Sequence, residues 1–249
     1  MISRKTKNEV KLMSIAGQIA GFALRQVVKE IKPGITTIEL DKIAHRVIKA
    51  RSGESAFLGY KGYKHTLCVS VNDHVVHGVP SSRQIESGDI VSIDLGVKYK
   101  GYFADTATSY IVGRASDDAK RVVAGVRSAL KNSISIIKPG IKIGDIEFET
   151  GKTLKKYNLS PVMSLSGHGI GKSIHEEPAI KSDGTPETGS VLAEGMVLAI
   201  EPMATAGSGE VATDRDGWTV KTRDGSLAAH FEHTVLVTQK GSRILTGSL

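Results

Sequence analysis

A single cysteine, Cys68, occurs in the 249 residues. No disulfide can close within such a chain, which is compatible with a reducing compartment. Nowhere do apolar residues run unbroken for the roughly 18 positions that a membrane span requires. The first residues, Met1 to Lys11, are polar and basic and lack the apolar stretch of a secretory leader. These absences lead to the expectation of a cytoplasmic, soluble protein with no membrane partner. There is also no long run of one charge. The 33 Lys and Arg and the 26 Asp and Glu are scattered, so no basic tail is expected. The net charge of +7 favours polyanionic partners, a ribosome surface among them, although an ordinary charge excess explains the same number.

What is present suits a globular protein. Hydrophobic residues make up 40% and charged residues 24%, and the length is enough to bury a substantial core. Apolar residues recur at helical spacing over residues 8–31 (Val10, Met13, Ala20, Leu24, Val27, Ile31), which predicts a long helix packed by one stripe. Pro33-Gly34 stops it. Thr36 and Glu39 form a capping-box pattern, and Leu40, Ile43, Ala44 and Val47 continue a second helix. Residues 67–71, 90–95 and 108–112 read as strands. The order then recurs. Val122 to Ile137 mark a long helix, Pro139-Gly140 ends it, another helix runs to about Tyr157, and residues 162–165, 196–200 and 234–238 read as strands.

The recurrence shows in residues as well. Ile31-Lys32-Pro33-Gly34-Ile35 matches Ile137-Lys138-Pro139-Gly140-Ile141. The run from Gly88 to Asp94 resembles the run from Gly195 to Glu201 at nearly the same offset, roughly 106 residues. Two such matches predict a single domain over 1–249 built from pseudo-symmetric α+β halves, 8–113 and 117–245. The second match aligns Asp94 with Glu201, each an acid at the end of an apolar strand. Such an acid is costly unless something positive stands opposite. Asp105-Thr106 and Glu232-His233-Thr234, each ahead of an apolar run, supply a second acid from each half. Four carboxylates gathered in one site either protonate or bind cations. Oxygen-rich ligation with imidazole suits a hard or borderline divalent ion. It does not suit a structural zinc site, which would be thiolate-rich.

Three histidines sit beside glycine or proline turns: His77 in Val76-His77-Gly78-Val79-Pro80, His168 in Gly167-His168-Gly169-Ile170-Gly171, and His175 in His175-Glu176-Glu177-Pro178. One alone is more often structural. Three together, with four strand-associated acids, point to a site.

These runs resemble the bacterial type I methionine aminopeptidases. Phe57-Leu58-Gly59-Tyr60 with Gly62-Tyr63, Ile200-Glu201-Pro202 and Asp216-Gly217-Trp218-Thr219 join those already quoted, and the set covers nearly the whole chain in the family's order. The resemblance implies an α+β pita-bread fold, with an antiparallel sheet, helices outside and a metal site at the centre. It implies removal of the N-terminal methionine from nascent polypeptides by a monomeric enzyme that prefers a small second residue. Two divalent ions (Co, Mn, Fe, Zn or Ni) would activate a water or hydroxide. By the same resemblance Asp94 chelates one ion, Asp105 and Glu232 bridge both, and His168 and Glu201 complete the other's shell. Glu201 also shuttles the proton, His175 polarises the scissile carbonyl or holds the developing oxyanion, and His77 contacts the substrate. The side-chain pocket would comprise Phe57, Tyr60, Tyr63, Cys68, His77, Ile174, His175 and Trp218. Apolar and aromatic walls suit a thioether. Cys68 lies in an apolar run, where thiols are usually inert, and is not expected to be a nucleophile.

Three positions depart from the family pattern. Relatives commonly carry cysteine where this chain has Phe57 and phenylalanine where it has Ile174, an apparent exchange of large and small that compensates if the two face each other. His230 stands where glutamine is expected, and two readings remain open: it perturbs the metal site, or it is exposed. Other classes fit less well. Prolidase-like and aminopeptidase P-like relatives usually carry an extra N-terminal domain. Non-catalytic pita-bread proteins that bind RNA or ribosomes typically lose metal ligands, and here all five acid and imidazole ligands are present.

Overall fold

The computed structural model describes residues 2–247. Two helices, α1 (Lys7–Glu30) and α2 (Thr37–Ala50), lead into β1 (Glu54–Ser55), a short 3₁₀ turn (Tyr60–Gly62), β2 (Cys68–Val71), β3 (His74–Val76), β4 (Ile90–Tyr99) and β5 (Tyr102–Ile111). Two more helices follow, α3 (Asp117–Ser135) and α4 (Ile143–Lys156). After them come β6 (Ser160–Pro161), β7 (Gly167–Gly169), β8 (Glu176–Ile180), β9 (Val197–Ile200), β10 (Met203–Thr205), β11 (Val211–Thr213), β12 (Val220–Thr222), β13 (Ala228–His230), β14 (Glu232–Thr238) and β15 (Gly241–Ile244). At the second helix start, the Glu39 carboxylate accepts the Thr36 amide at 2.8 Å, as the capping pattern predicts.

Nine strands form one antiparallel sheet in the order β1-β4-β5-β14-β9-β7-β8, with β2 also on β4 and β15 also on β14. β5 and β14 meet in the middle, and β4 and β9 flank them. Alternation explains the layering, since successive side chains on a strand point to opposite faces. On β4, Val91, Ile93, Leu95 and Val97 pack with α1 and α2, in a cluster that includes Ala20, Leu24, Val27, Leu40 and Ala44. On the other side of the seam, Leu198, Ile200, Val235 and Val237 pack with Val122, Val126, Ile146 and Leu154 of α3 and α4. Each fully buried Leu or Ile contributes about 1.5–3 kcal/mol of hydrophobic stabilisation. The residues in between, Ser92, Asp94 and Gly96 on β4, face away from the helices. The fold is therefore the expected α+β arrangement, with helices outside and the polar face of the sheet within.

Two strand expectations need correction. Residues 162–165 are not a strand. Pairing with β10 ends after the Val162 amide bonds the Met203 carbonyl, and the chain then turns at Met163-Ser164. β4 and β5 also run longer than the apolar pattern suggests, because Lys100 (φ 47°) and Gly101 (φ 84°) close a two-residue turn that pairs Tyr99 with Tyr102. Asp105 thus lies inside a strand rather than ahead of one, and Glu232 is the first residue of β14.

The β5/β14 seam has only two register pairs, Glu232 with Ala107 and His233 with Thr106. Hydroxyls complete it. Asp105 N donates to Thr234 Oγ1 at 2.8 Å, and the same hydroxyl donates to the Asp105 carbonyl at 2.8 Å. Thr106 Oγ1 donates to the Glu232 carbonyl at 3.0 Å.

Candidate active site

Register places the acids. Asp94 and Glu232 both pair with Ala107 of β5, from its two sides. Residues directly opposite in an antiparallel ladder share a face, so the two carboxylates emerge on one side of the sheet. Asp105, two residues from Ala107, emerges there too, opposite Gly96. On the other flank His168 pairs with Ala199, and Glu201 lies two residues beyond. Pro202 cannot continue the ladder and ends β9 at Ile200. The structure thus brings together Asp94, Asp105, His168, Glu201 and Glu232.

These groups line a cavity of about 420 Å³. Donor atoms of Asp105, His168 and Glu232 lie within 4.8 Å of one another, and so do those of Glu201, His230 and Glu232. His168 Nδ1 lies 3.0 Å from the Gly169 carbonyl. A carbonyl only accepts, so Nδ1 carries the proton and the Nε2 lone pair faces Glu201 Oε1 at 3.3 Å. Asp94 Oδ1, Glu232 Oε1 and both ring nitrogens of His230 are buried without a hydrogen-bond partner. Burial, with the neighbouring Glu201 charge, pushes Asp105 up to about 7. Burial pushes Glu201 up to about 7 as well. Asp94 and Glu232 are held well above the usual carboxylate range, by burial first and then by the other acids. Burial lowers His168, keeping the imidazole neutral. Crowded acids, unmet oxygens and neutral imidazoles fit a divalent-ion centre.

The cavity wall carries most of the predicted pocket. Phe57, Tyr60, Tyr63, Cys68, His77, His175 and Trp218 all line it. Asp41 of α2 accepts the Thr66 and Leu67 amides at 2.7 and 3.1 Å, which fixes the approach to Cys68. Tyr63 is 4% exposed, donates to the Leu67 carbonyl at 3.0 Å, and meets the Trp218 ring edge-on at 4.9 Å. Asp216 accepts the Trp218 and Thr219 amides, both at 2.8 Å, in an Asx turn that sets the indole. His77 sits at φ 57°, in the left-handed region, a strained position for a residue with a side chain. The Cys68 thiol is buried and raised by burial and by Asp94, in keeping with an inert thiol.

His175 shares a 2.9 Å hydrogen bond between its Nδ1 and Tyr60 Oη, and its ring meets that of His168 at 4.5 Å. The loop holding it is pinned by Glu176, which accepts from Lys172 N at 2.8 Å, Ser173 N at 3.2 Å and Lys5 Nζ at 2.6 Å.

Ile174 is the exception among the predicted wall residues. It is buried and does not line the cavity. A Cβ built on Gly96 would lie 2.9 Å from Phe57 Cε1 and 3.1 Å from Ile174 Cδ1. Phe57 and Ile174 therefore close over the same bare spot on β4, and Ile174 acts from behind the wall. His230 is 1% exposed, which removes the exposed reading. His230 ends β13 and Glu232 begins β14, on either side of Phe231, and both line the cavity. Met203, Leu165, Ser164 and Ser166 also line the cavity. They come from turns and short strands that no periodicity marks.

The profile of Metallopeptidase family M24 matches residues 11–239. The chain is 44% identical over 246 residues to methionine aminopeptidase 1 of Bacillus subtilis, covering 99% of each. Among solved structures, methionine aminopeptidase from Thermotoga maritima superposes with a TM-score of 0.98 at 43% identity, over 100% of each chain. Prolidase from Pyrococcus furiosus superposes with a TM-score of 0.80 at 27% identity, over 99% of this chain and 66% of the prolidase.

Proposed function

This chain belongs to metallopeptidase family M24, and to the methionine aminopeptidases within it, and from that we propose that it hydrolyses the N-terminal methionine from nascent polypeptides. The observation that carries the reading is the convergence of Asp94, Asp105, His168, Glu201 and Glu232 at the floor of a cavity walled by Tyr63, Phe57 and Trp218. These five residues would hold two divalent ions. When bound, the ions supply Lewis acidity and acidify water for attack on the amide.

The remaining work falls to side chains. Apolar and aromatic walls take the thioether. His175, steadied by Tyr60, presents its other ring nitrogen to the scissile carbonyl and stabilises charge developing on its oxygen. His77 contacts the substrate beside the scissile amide. A carboxylate oxygen of Glu201 takes the proton of the attacking water and delivers it to the departing amine. The substrate enters with its free α-amine toward these five residues and the ions they would hold, which restricts cleavage to the first residue. A bulky second residue crowds the cleft, so a small one is preferred.

In this reading the halves 8–113 and 117–245 form one catalytic domain, and the sheet order about the β5/β14 seam supports it. The enzyme acts as a cytoplasmic monomer. Its net charge of +7 favours the ribosome surface as the place where it meets its substrates. Among the described residues no helix is long and apolar enough to cross a membrane.

The test is to strip the protein of metal and assay Met-Ala-Ser, Leu-Ala-Ser and Met-Arg-Ser peptides as Co, Mn, Fe, Zn and Ni ions are added singly. Met-Ala-Ser should be cleaved only with an ion present, and faster than the other two. Equal rates on all three would reject the proposal, and turnover of Xaa-Pro dipeptides alone would move the assignment to a prolidase.

A further inference from the structure

We propose that His230 is itself a metal ligand, donating an imidazole nitrogen to the ion held by Glu201 and Glu232; this rests on reading the cavity as a metal centre. His230 is 1% exposed, and neither ring nitrogen has a hydrogen-bond partner. A neutral imidazole carries one donor and one acceptor, and burying both unmet is costly. Its backbone, by contrast, is fully engaged. His230 N donates to Ser109 Oγ at 2.9 Å, Ser109 Oγ lies 2.9 Å from the His230 carbonyl, and His230 pairs with Met203 across β13 and β10. The main chain is fixed on both sides while the ring lines the cavity with neither nitrogen hydrogen-bonded.

The spacing is that of a coordination shell. His230 Nε2 lies 3.2 Å from Glu201 Oε2, and His168 Nε2 lies 3.3 Å from Glu201 Oε1. One carboxylate is thus flanked by two imidazoles at nearly equal distances. Two donors bound to one ion by bonds of about 2.1 Å, at angles between octahedral and tetrahedral, stand about 3.0–3.4 Å apart. The His230 contact does not meet hydrogen-bond geometry, so the carboxylate does not satisfy the ring. The donor atoms of Glu201, His230 and Glu232 all fall within 4.8 Å of one another.

The chemical consequence is a shift in metal preference. A second imidazole turns an oxygen-dominated set into a mixed one. Imidazole suits Zn²⁺, Ni²⁺, Co²⁺ and Fe²⁺, whereas Mn²⁺ prefers oxygen. The chain should therefore discriminate against Mn²⁺ more strongly than the five-ligand set would.

Two measurements test this. In the first, Co²⁺ and Mn²⁺ affinities of the metal-free protein are measured by chelator competition, before and after His230→Gln. Co²⁺ affinity should fall about 10- to 100-fold, Mn²⁺ affinity should change less than about threefold, and the visible spectrum of the Co²⁺ form should change. Equal losses for both ions, or no loss, would overturn the proposal. So would unchanged affinities with a displaced pH profile of kcat/KM, since His230 would then only position Glu201. The second uses the unaltered protein, so it stands if the variant does not fold. Proton NMR of the fully Co²⁺-loaded protein should show two strongly shifted imidazole N–H signals, from His168 and His230. A single signal overturns the ligand assignment and leaves the metal centre standing. A protein that binds no ion at all overturns both.

Discussion

Gly96 gives the sharpest handle on the pocket, because what it lacks can be measured. An alanine Cβ there would lie 2.8 Å from Ala56 Cβ, 2.9 Å from Phe57 Cε1 and 3.1 Å from Ile174 Cδ1. The first contact cannot relax cheaply, since the Ala56 amide is tied to the Gly96 carbonyl at 2.9 Å and Ala56 is buried. Overpacking of this kind costs about 1–3 kcal/mol. For a chain of this size each kcal/mol lowers Tm by about 2–4 °C, so Gly96→Ala should melt about 2–12 °C below the parent. The Phe57 ring, only half buried, is the neighbour that yields, and it yields into the cavity. Room lost there weakens methionine binding. About one methylene's worth of misfit raises KM for Met-Ala-Ser about tenfold. The assay pairs a circular-dichroism melt of the metal-free protein with steady-state kinetics at saturating ion. Adding Ile174→Val removes the 3.1 Å contact and should recover part of the Tm loss, though not the share due to Ala56. A Gly96→Ala protein whose Tm stays within about 1 °C of the parent and whose KM stays within about twofold would refute the packing argument.

The exchange of Phe57 and Ile174 is predicted to be coupled: Phe57→Cys with Ile174→Phe should differ from the sum of the single changes by about 0.5–3 kcal/mol in kcat/KM, and strict additivity would show that the two do not meet. Thr234→Val strands the Asp105 amide at the seam and should cost about 1–3 kcal/mol, read as a lower Tm; an unchanged melt would deny that the hydroxyl holds the seam. Glu201→Gln should lower kcat by about 10²–10⁴-fold at saturating ion, and a near-parental rate on Met-Ala-Ser would exclude the proton role. In the metal-free protein Asp105 and Glu201 sit up near 7, so the folded state keeps protons that the unfolded chain releases from about pH 4 upward. Stability should fall as pH rises from about 4 through 7, and the Tm gained on adding ions should be larger at pH 8 than at pH 5. A metal-free melting temperature that is flat between pH 5 and 8 would contradict this.

How much of this could be read from the residues alone follows from where the physics is local. Helix stripes and their stops depend on neighbours in sequence, so α1 and α2 fall where Val10 to Ile31 and Thr36-Glu39 place them. The acids were legible because a carboxylate at the end of an apolar strand has few explanations. Strand extent was less legible, because the Lys100-Gly101 turn, not hydrophobicity, carries β4 and β5 past their apolar stretches. Ile174 and Gly96 were invisible as partners. Their relation depends on a loop folding back over a strand many residues away, and a missing side chain leaves no pattern. His230 was half legible. It stands two residues from Glu232, but the break between β13 and β14 that brings both to the cavity, and burial without a partner, are properties only of the assembled fold.

The Lys5–Glu176 contact carries a practical lesson. Lys5 Nζ reaches Glu176 at 2.6 Å, and the Lys5 amide is fastened to the Gly195 carbonyl at 2.7 Å. One tie on the rim that presents His175 therefore comes from the stretch just ahead of α1, on the far side of the sequence from the residues it serves. Shortening the chain past Lys5 would remove that tie while leaving every acid in place, so a clipped preparation should still bind metal but turn over more slowly. Affinity handles belong at the other end of this molecule.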